Sequence, residues 1–346
     1  VDNSDMRVAI VTESFPPDVG GAAHWVRQTV RHLERRGHEP LVLVPAGRRR
    51  GRCDDSAATE GWPGVVRTGG WRLAKALAAH RPDVVHVTAP RALGARGVAA
   101  GARLGVPVVA VRRAVPARPA GPAASLTLAP SVAAAHALTG RGVPRVRPWP
   151  PGVDPERFHP RHRDLELRRA LAPGGELIVG YVGRLVPEKR LDLLEPVCAL
   201  PGVRLVVTGD GPYAGVLRGV LPGARFLGCR TGSELARIHA SLDVFVHPGP
   251  PGGSSLGVRE ALASGVPVIA PATGDPGDPV RHGRTGLHVG YGDAQALRDA
   301  VLTLEAGRGR RAEFGMAGRE GVVGRTWEVV GDQLLGYYGE VGVSVG

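Results

Sequence analysis

Aromatic residues make up only 4% of this 346-residue chain, lysine occurs only at Lys75 and Lys189, and cysteine only at Cys53, Cys198 and Cys229. Each shortage excludes something. Binding of single-stranded nucleic acid uses aromatic side chains set among basic ones, and no stretch shows that interleaving, so nucleic acid is not an expected partner. Three scattered cysteines are too few for a disulfide framework or a metal cluster, and a reducing cytoplasm fits them. No apolar run approaches the roughly 20 residues of a membrane-spanning helix. No signal-peptide pattern is expected ahead of the first strand, and residues 1–5 stay outside the fold reading.

What is present is arginine. It supplies nearly all the positive charge behind a formal net charge of +12. Arg, Ala and Gly together have the look of a GC-rich coding sequence, so part of the basicity is compositional. The remainder points to an anionic ligand or an anionic membrane surface. The run Arg48-Arg49-Arg50-Gly51-Arg52 followed by Asp54-Asp55 reads as a solvated loop, with acidic lipid heads or phosphates as the alternative. The length suggests two domains, since single cores seldom grow beyond about 250–300 residues.

The stretch Asp243–Pro271 (DVFVHPGPPGGSSLGVREALASGVPVIAP) organises the rest. Val244-Phe245-Val246 is a short apolar strand that stops at His247-Pro248. A loop of Gly, Pro and Ser follows, then a helical segment with Glu260 in its first turns, a stop at Gly265 and a second apolar run over Val266–Ala270. Strand, Gly-rich loop, helix and strand make the unit of a parallel sheet, which places ligands at its carboxyl edge. Free N–H groups at such a helix start suit a phosphate, and Glu260 suits ribose hydroxyls.

The same alternation runs through the chain. Strands are expected over Arg7–Thr12, Pro40–Val44, Asp83–Val87, Val106–Val111 and Leu126–Ala129. Helices are expected over Ala22–Arg36, Trp71–His80, Ala92–Leu104 and from the Ser131 cap to about Leu138. Short apolar strands alternating with helices specify an α/β doubly wound parallel sheet. Pro148–Asp154, rich in Pro and Gly, marks a linker, and the boundary is set near Pro151. Beyond it come strands at Leu177–Val182, Val203–Thr208, Ala224–Leu227 and Leu287–Val289. Helices are expected from about Leu191, from Ser233, over Ala294–Leu304 and over Trp327–Gly339. Gly20-Gly21 at a helix start lets a phosphate or sugar approach closely, and serves a tight turn equally well. Arg184 and Lys189, flanking a loop directly after a buried strand, can both face one diphosphate, Arg as a fork and Lys as a point charge; a surface loop with incidental charges is the alternative.

On these motifs the chain resembles the retaining glycosyltransferases of family 4. The second half carries GYVGRLVPEKRLDLL, LVVTGDGP, ARFLGCRTGSELARIHASLDVFVHPGP, EALASGVPVIAP and VRHGRTGL. The first half carries IVTESFPPDVGGAAHWVRQTVRHLERRGHE, PDVVHVTAP, LGVPVVAV, LAPS and PGVDPERFHP. Within the family the pattern looks closest to the actinobacterial GDP-mannose-dependent α-mannosyltransferases of phosphatidylinositol mannosides and related glycolipids. The resemblance implies the GT-B fold, two Rossmann-like domains facing a central cleft. Residues 6–150 would form the acceptor side and 151–325 the donor side, with the helical segment 326–346 packing back toward the first. It implies that Arg184 and Lys189 bind the donor diphosphate and carry the catalysis, and that Glu260, the second Glu of a Glu-x7-Glu pattern, holds the ribose. Gly20 and Gly21 would approach the sugar or phosphate. The base would lie near Cys229, Arg230 and Leu235, and Gly253, Ser254, Ser255 and Leu256 would complete the donor site. The implied reaction is front-face transfer with retention, with no bound metal and no cofactor beyond the GDP- or UDP-sugar substrate. Arg, Lys and helix N-termini would neutralise the leaving diphosphate.

Three departures stand out. Gly252 occupies the place of the first Glu, which grips a donor-sugar hydroxyl. Arg112-Arg113-Ala114-Val115 and a short Pro-rich piece stand where a His or Asp and the acceptor-side helices are expected. The segment between Ala46 and Gly70 is short. The leading expectation is hexosyl transfer, mannosyl favoured, to an alcohol acceptor. That acceptor would be a lipid-linked polyol, with peripheral contact at the inner face of the cell membrane, or a small secondary metabolite served from a UDP-sugar. A nucleotide-sugar-binding protein with little or no turnover is the alternative of another class. A nucleotide-binding oxidoreductase is disfavoured, because no strand leads into G-x-G-x-x-G with an acidic residue about 20 residues on.

Overall fold

The computed structural model describes residues 5–18, 20–46, 64–88, 92–112, 123–251 and 256–344. The Arg48–Asp55 loop, Arg113–Pro122 and Gly252–Ser255 lie outside them. The chain forms two compact units, one holding the residues up to Pro151 together with those from Trp327 onward, the other running from Gly152 to Thr326.

In the first unit a seven-stranded sheet has the order β3-β2-β1-β4-β5-β6-β7. Its strands are β1 (Arg7–Val11), β2 (Glu39–Pro45), β3 (Val65–Thr68), β4 (Val84–Val87), β5 (Val108–Val111), β6 (Leu126–Ala129) and β7 (Val146–Pro148). Every pairing is parallel. A parallel sheet is covered on both faces, so its inner strands read as continuous apolar runs rather than as alternation. The four residues of β4 are all buried, His86 among them. The helices are α1 (Gly21–Arg35), α2 (Gly70–His80), α3 (Ala92–Arg103) and α4 (Val132–Gly140). The Ser131 side chain caps α4, accepting from the Ala134 N–H. β3 and β7 are not expected from the sequence; both are short, and their burial is partial.

The second unit has a six-stranded sheet in the order β10-β9-β8-β11-β12-β13, again parallel throughout. The strands are β8 (Leu177–Val182), β9 (Val203–Thr208), β10 (Arg225–Gly228), β11 (Val244–Val246), β12 (Val268–Pro271) and β13 (Gly286–Val289). Side chains alternate between two cores. Leu177, Val179, Tyr181, Val244, Val246 and Ile269 enter one cluster, whereas Ile178, Phe245, Val268 and Ala270 enter the other. Its helices are α5 (Leu165–Leu171), α6 (Glu195–Cys198), α7 (Ala214–Val220), α8 (Gly232–Ser241), α9 (Leu256–Ala263), α10 (Ala294–Ala306) and α11 (Arg308–Val323). The helix expected from Leu191 is instead a 3₁₀ turn over Leu191–Leu194 followed by the four-residue α6. Leu191, Leu193, Leu194 and Val197 are nonetheless buried there as a helix face would be.

α11 is not evident in the sequence because its glycines look like loop. They are its packing face. A Cβ at Gly315 would overlap the Gly265 carbonyl oxygen, and one at Gly318 would press into the Leu262 side chain. Small residues let α11 lie directly against α9 and the turn that ends it, a close approach that larger side chains would prevent.

The last helix, α12 (Trp327–Gly339), belongs to the first unit and packs on α1. Gly331 makes room for the His32 ring. Asp332 pairs with Arg36 and lies 3.1 Å from His32 Nε2. The Trp149 indole donates to the Val330 carbonyl at 3.0 Å, and Tyr338 shares a 3.0 Å hydrogen bond with the buried His86. Trp25 stacks obliquely on Trp149 at 4.8 Å.

Candidate functional site

Three strand ends of the second unit are tied together by backbone. Gly183, at φ 157°, follows β8. Its N–H donates to Thr208 O at 3.0 Å, Leu185 N–H to Asp210 O at 3.0 Å and Tyr213 N–H to Leu185 O at 3.1 Å. Gly209 N–H then donates to Gly228 O at 2.8 Å, joining the ends of β9 and β10. A Cβ on Gly209 would overlap the Gly183 carbonyl oxygen, and one on Gly211 the Leu185 carbonyl oxygen. Gly209-Asp210-Gly211, which reads in the sequence as a plain turn, thus braces the loop after β8. The Tyr181 hydroxyl adds a 3.1 Å bond to the Arg184 carbonyl. Burial pushes its pKa well above the ordinary tyrosine value, the nearby Arg184 charge opposing, so it remains a donor at neutral pH.

On this braced loop Arg184 is exposed, and Lys189 is half-buried at the end of a 3₁₀ turn, Pro187–Lys189. β11 neighbours β8 in the sheet, so the chain leaving it emerges beside Lys189. A Cβ placed on Gly249 would touch both the Lys189 side chain, 3.4 Å from Cδ, and the His247 ring, 3.5 Å away. Nothing in the sequence pattern singles out His247 as a site residue. It is 6% exposed, and neither ring nitrogen has a hydrogen-bond partner among the described residues. Burial, reinforced by the Lys189 charge, lowers its pKa to about 3, so it stays neutral beside the lysine.

α9 begins against the end of β8, where a Cβ on Gly257 would meet the Val182 carbonyl oxygen at 3.0 Å. Leu256, its first residue, is half-buried. One turn further along, the Glu260 side chain is 12% exposed, with Oε2 3.4 Å from Nε2 of the fully buried His239. The neighbouring Arg259 is buried. Burial and the Arg325 charge lower its pKa to about 10, against the pull of Asp278 and Asp275, and it remains a cation at neutral pH.

The remaining expected residues are spread more widely. Arg230 pairs with Glu234 one helical turn on, Nε to Oε1 2.8 Å, on an exposed surface at the start of α8. Leu235 packs partly buried against the core of its unit. Gly20, in the first unit, precedes α1 with φ 151°, and Gly21 is the first residue of that helix. Gly253, Ser254 and Ser255 lie outside the described residues, as does Gly252. Cys198 is a free thiol. No helix among the described residues is long and apolar enough to cross a membrane.

Comparisons with known proteins agree with this architecture. Residues 19–157 match the model of Glycosyltransferase Family 4, and residues 176–306 that of Glycosyl transferases group 1. A GDP-mannose-dependent alpha-mannosyltransferase of Mycobacterium tuberculosis is 42% identical over 366 residues, covering 96% of this chain and 96% of that protein. The alignment is longer than this chain, so that relative carries insertions within the matched region. The protein of the same description from Corynebacterium glutamicum is 34% identical, covering 97% of this chain and 89% of its own length. Among solved structures, a sucrose-phosphate synthase from Thermosynechococcus elongatus superposes with a TM-score of 0.77 at 22% identity, covering 97% of this chain and 99% of that one. Anabaena HepE in complex with UDP and glucose gives 0.75 at 19%, covering 96% and 99%. These two likenesses speak for the fold, two Rossmann-like domains of the GT-B kind. The sequence relatives speak for the family: the chain belongs to the family-4 glycosyltransferases, among the relatives of the GDP-mannose-dependent alpha-mannosyltransferases.

Proposed function

We propose that the protein transfers a mannosyl group from GDP-mannose to an alcohol with retention of configuration. The observation that carries this reading is the placement of Lys189 and Glu260 on segments that follow the neighbouring strands β8 and β11, at the carboxyl edge of the second sheet. Open parallel sheets bind ligands at that edge. Arg184 and Lys189 supply fixed positive charge for the donor diphosphate, and the backbone bracing by Gly209 and Gly211 holds their loop in place before substrate arrives. Charge set in position beforehand favours the transition state, in which the diphosphate gathers negative charge as it leaves.

In the proposed reaction the bond from the anomeric carbon to the phosphate oxygen breaks, and a bond to the acceptor oxygen forms on the same face. The departing phosphate oxygen takes the acceptor's proton, and GDP leaves. The two cations take the role that a divalent ion fills in other nucleotide-sugar enzymes, so the reaction is proposed to need no metal and no cofactor beyond the donor. Glu260 accepts from the ribose hydroxyls. Arg230 and Leu235 border the base, with Leu256 and the Gly253–Ser255 loop completing the donor site. The acceptor is an alcohol on a glycolipid or a small metabolite; the net charge of +12 suits peripheral contact with an anionic membrane surface in the cytoplasm.

Calorimetry with GDP and UDP tests the donor site. Lys189→Ala and Glu260→Ala are each expected to weaken GDP binding roughly ten- to a hundred-fold, the worth of one hydrogen bond to a charged group. Unchanged GDP affinity in both variants would sink the assignment. In the same preparations EDTA should leave turnover of GDP-mannose intact; abolition that Mg²⁺ restores would contradict the metal-free reaction.

A further inference from the structure

Glu260 is a nearly buried carboxylate with an unusual neighbour. His239, on α8, is 0% exposed. Its ring is enclosed by aromatic side chains, stacked on Phe245 at 5.7 Å with planes 26° apart and edge-on to Phe158 at 5.5 Å and 89°. Neither of its nitrogens makes a hydrogen bond of good geometry among the described residues. The acidic group in reach is Glu260, whose Oε2 lies 3.4 Å from Nε2.

We propose that His239 is a positioning residue that holds the Glu260 carboxylate in register for a vicinal diol, the ribose 2′,3′-hydroxyls of a nucleoside diphosphate. The inference rests on the reading of Glu260 as the ribose ligand and deepens it. The Phe158 and Phe245 rings, one edge-on and one stacked, restrain the imidazole plane. The restrained ring aims Nε2 at one carboxylate oxygen. With the Nε2–H tautomer, that nitrogen donates to Oε2 and restrains the carboxylate, leaving the other oxygen to accept from the sugar. The 3.4 Å separation is loose for a hydrogen bond. Bonds of this kind in ligand-free sites commonly tighten when the ligand arrives, and diol binding would then set the carboxylate and close the gap to His239. An imidazole that merely filled space would need no nitrogen directed at Glu260, and phenylalanine would serve as well.

That difference gives the test. Binding of GDP and of 2′,3′-dideoxy-GDP to the full chain is measured by calorimetry for the parent protein and for His239→Phe, His239→Gln and Glu260→Ala, with thermal melts to confirm folding. His239→Phe keeps an aromatic ring in that place and removes the donor. It is expected to bind GDP about ten-fold more weakly with dideoxy-GDP affinity unchanged. His239→Gln, which carries an N–H near the position of Nε2, is expected to restore most of the preference for GDP. Should the Phe variant not fold, His239→Met, of similar volume and without a donor, takes its place. Parent-like binding of both nucleotides by the non-donor variant, or equal weakening of both, would overturn the proposal. Loss of the GDP preference in Glu260→Ala with its retention in His239→Phe would overturn this inference alone. Retention in Glu260→Ala would overturn the ribose reading and this inference with it.

Discussion

Asp243 stands at the amino end of β11, on the opposite edge of the sheet from Lys189. Its side chain, 11% exposed, accepts from the Ile178 N–H at 2.9 Å, from Arg163 at 2.8 Å and from Arg168 at 3.0 Å. Burial on its own would raise the carboxyl's pKa. The Ile178 N–H and the two guanidinium groups outweigh it and hold the value below the ordinary 3.8. A lowered folded pKa contributes stability that is present above the unfolded pKa and lost as pH falls through the folded one. Asp243→Asn is therefore expected to cost about 2 kcal/mol at pH 7, with a gap to the parent that narrows below about pH 4. Urea midpoints at pH 7 and pH 3 read this directly, and an equal gap at both would refute it. The sequence displays the aspartate but not its role, because both arginines lie in a polar, arginine-rich stretch far upstream whose fold into α5 has no strong apolar stripe to announce it. His239 and His247 are hidden for a related reason. A histidine after a strand or inside a helix looks alike whether it is core or site, and only the surrounding burial and the carboxylate or lysine beside it separate the two.

Elements are more legible than their joints. β8, β9 and β11 are expected at the observed residues, and β1, β4, β10 and β12 to within two residues at either end, because short apolar runs between turn signals have few other uses. The glycine-dependent contacts are not legible, since a glycine's partner is backbone from another part of the chain. Gly209 is the sharpest case, with φ 136° and no room for a Cβ against the Gly183 carbonyl. Gly209→Ala is expected to destabilise the second unit by about 2 kcal/mol or more, through backbone strain and overlap together, and to weaken GDP binding by loosening the loop that carries Lys189. Gly215, inside α7, has open space where a Cβ would stand. Gly215→Ala should be neutral or stabilise by up to about 1 kcal/mol. Urea unfolding of the two variants side by side checks the contrast; equal effects would mean that the bracing contributes nothing.

At the scale of the molecule, acid sensitivity is distributed between the units. Burial lowers the pKa of His86 in the first unit to about 3, and burial with the Lys189 charge does the same for His247 in the second. Between the ordinary value of 6.5 and about 3, the unfolded chain binds a proton at each site that the folded chain refuses. The stability so contributed is complete above about pH 6.5 and is lost as pH falls through that window, at about 1.4 kcal/mol per pH unit for each histidine. All five tryptophans lie within the residue ranges of the first unit, so their fluorescence follows the unfolding that includes His86. Stability read this way is expected to fall by about 1.2 kcal/mol between about pH 6 and pH 5 from His86 alone, whose unfolded form is not yet fully protonated at pH 6. A flat response across that interval would show that His86 is not buried neutral.

The return of α12 to the first unit also orders events in time. Because α12 follows the whole second unit in the chain, a ribosome completes residues 152–326 before it releases the helix that covers α1 and supplies Tyr338 to His86. The described residues of the second unit fall within one continuous stretch of chain, which can fold as it emerges. The first must wait, with the Trp25–Trp149 surface uncovered for the time it takes to synthesise some 175 more residues, roughly ten to thirty-five seconds at usual rates. During that interval the nascent first unit presents an apolar face, and it is there that a chaperone would be expected to engage.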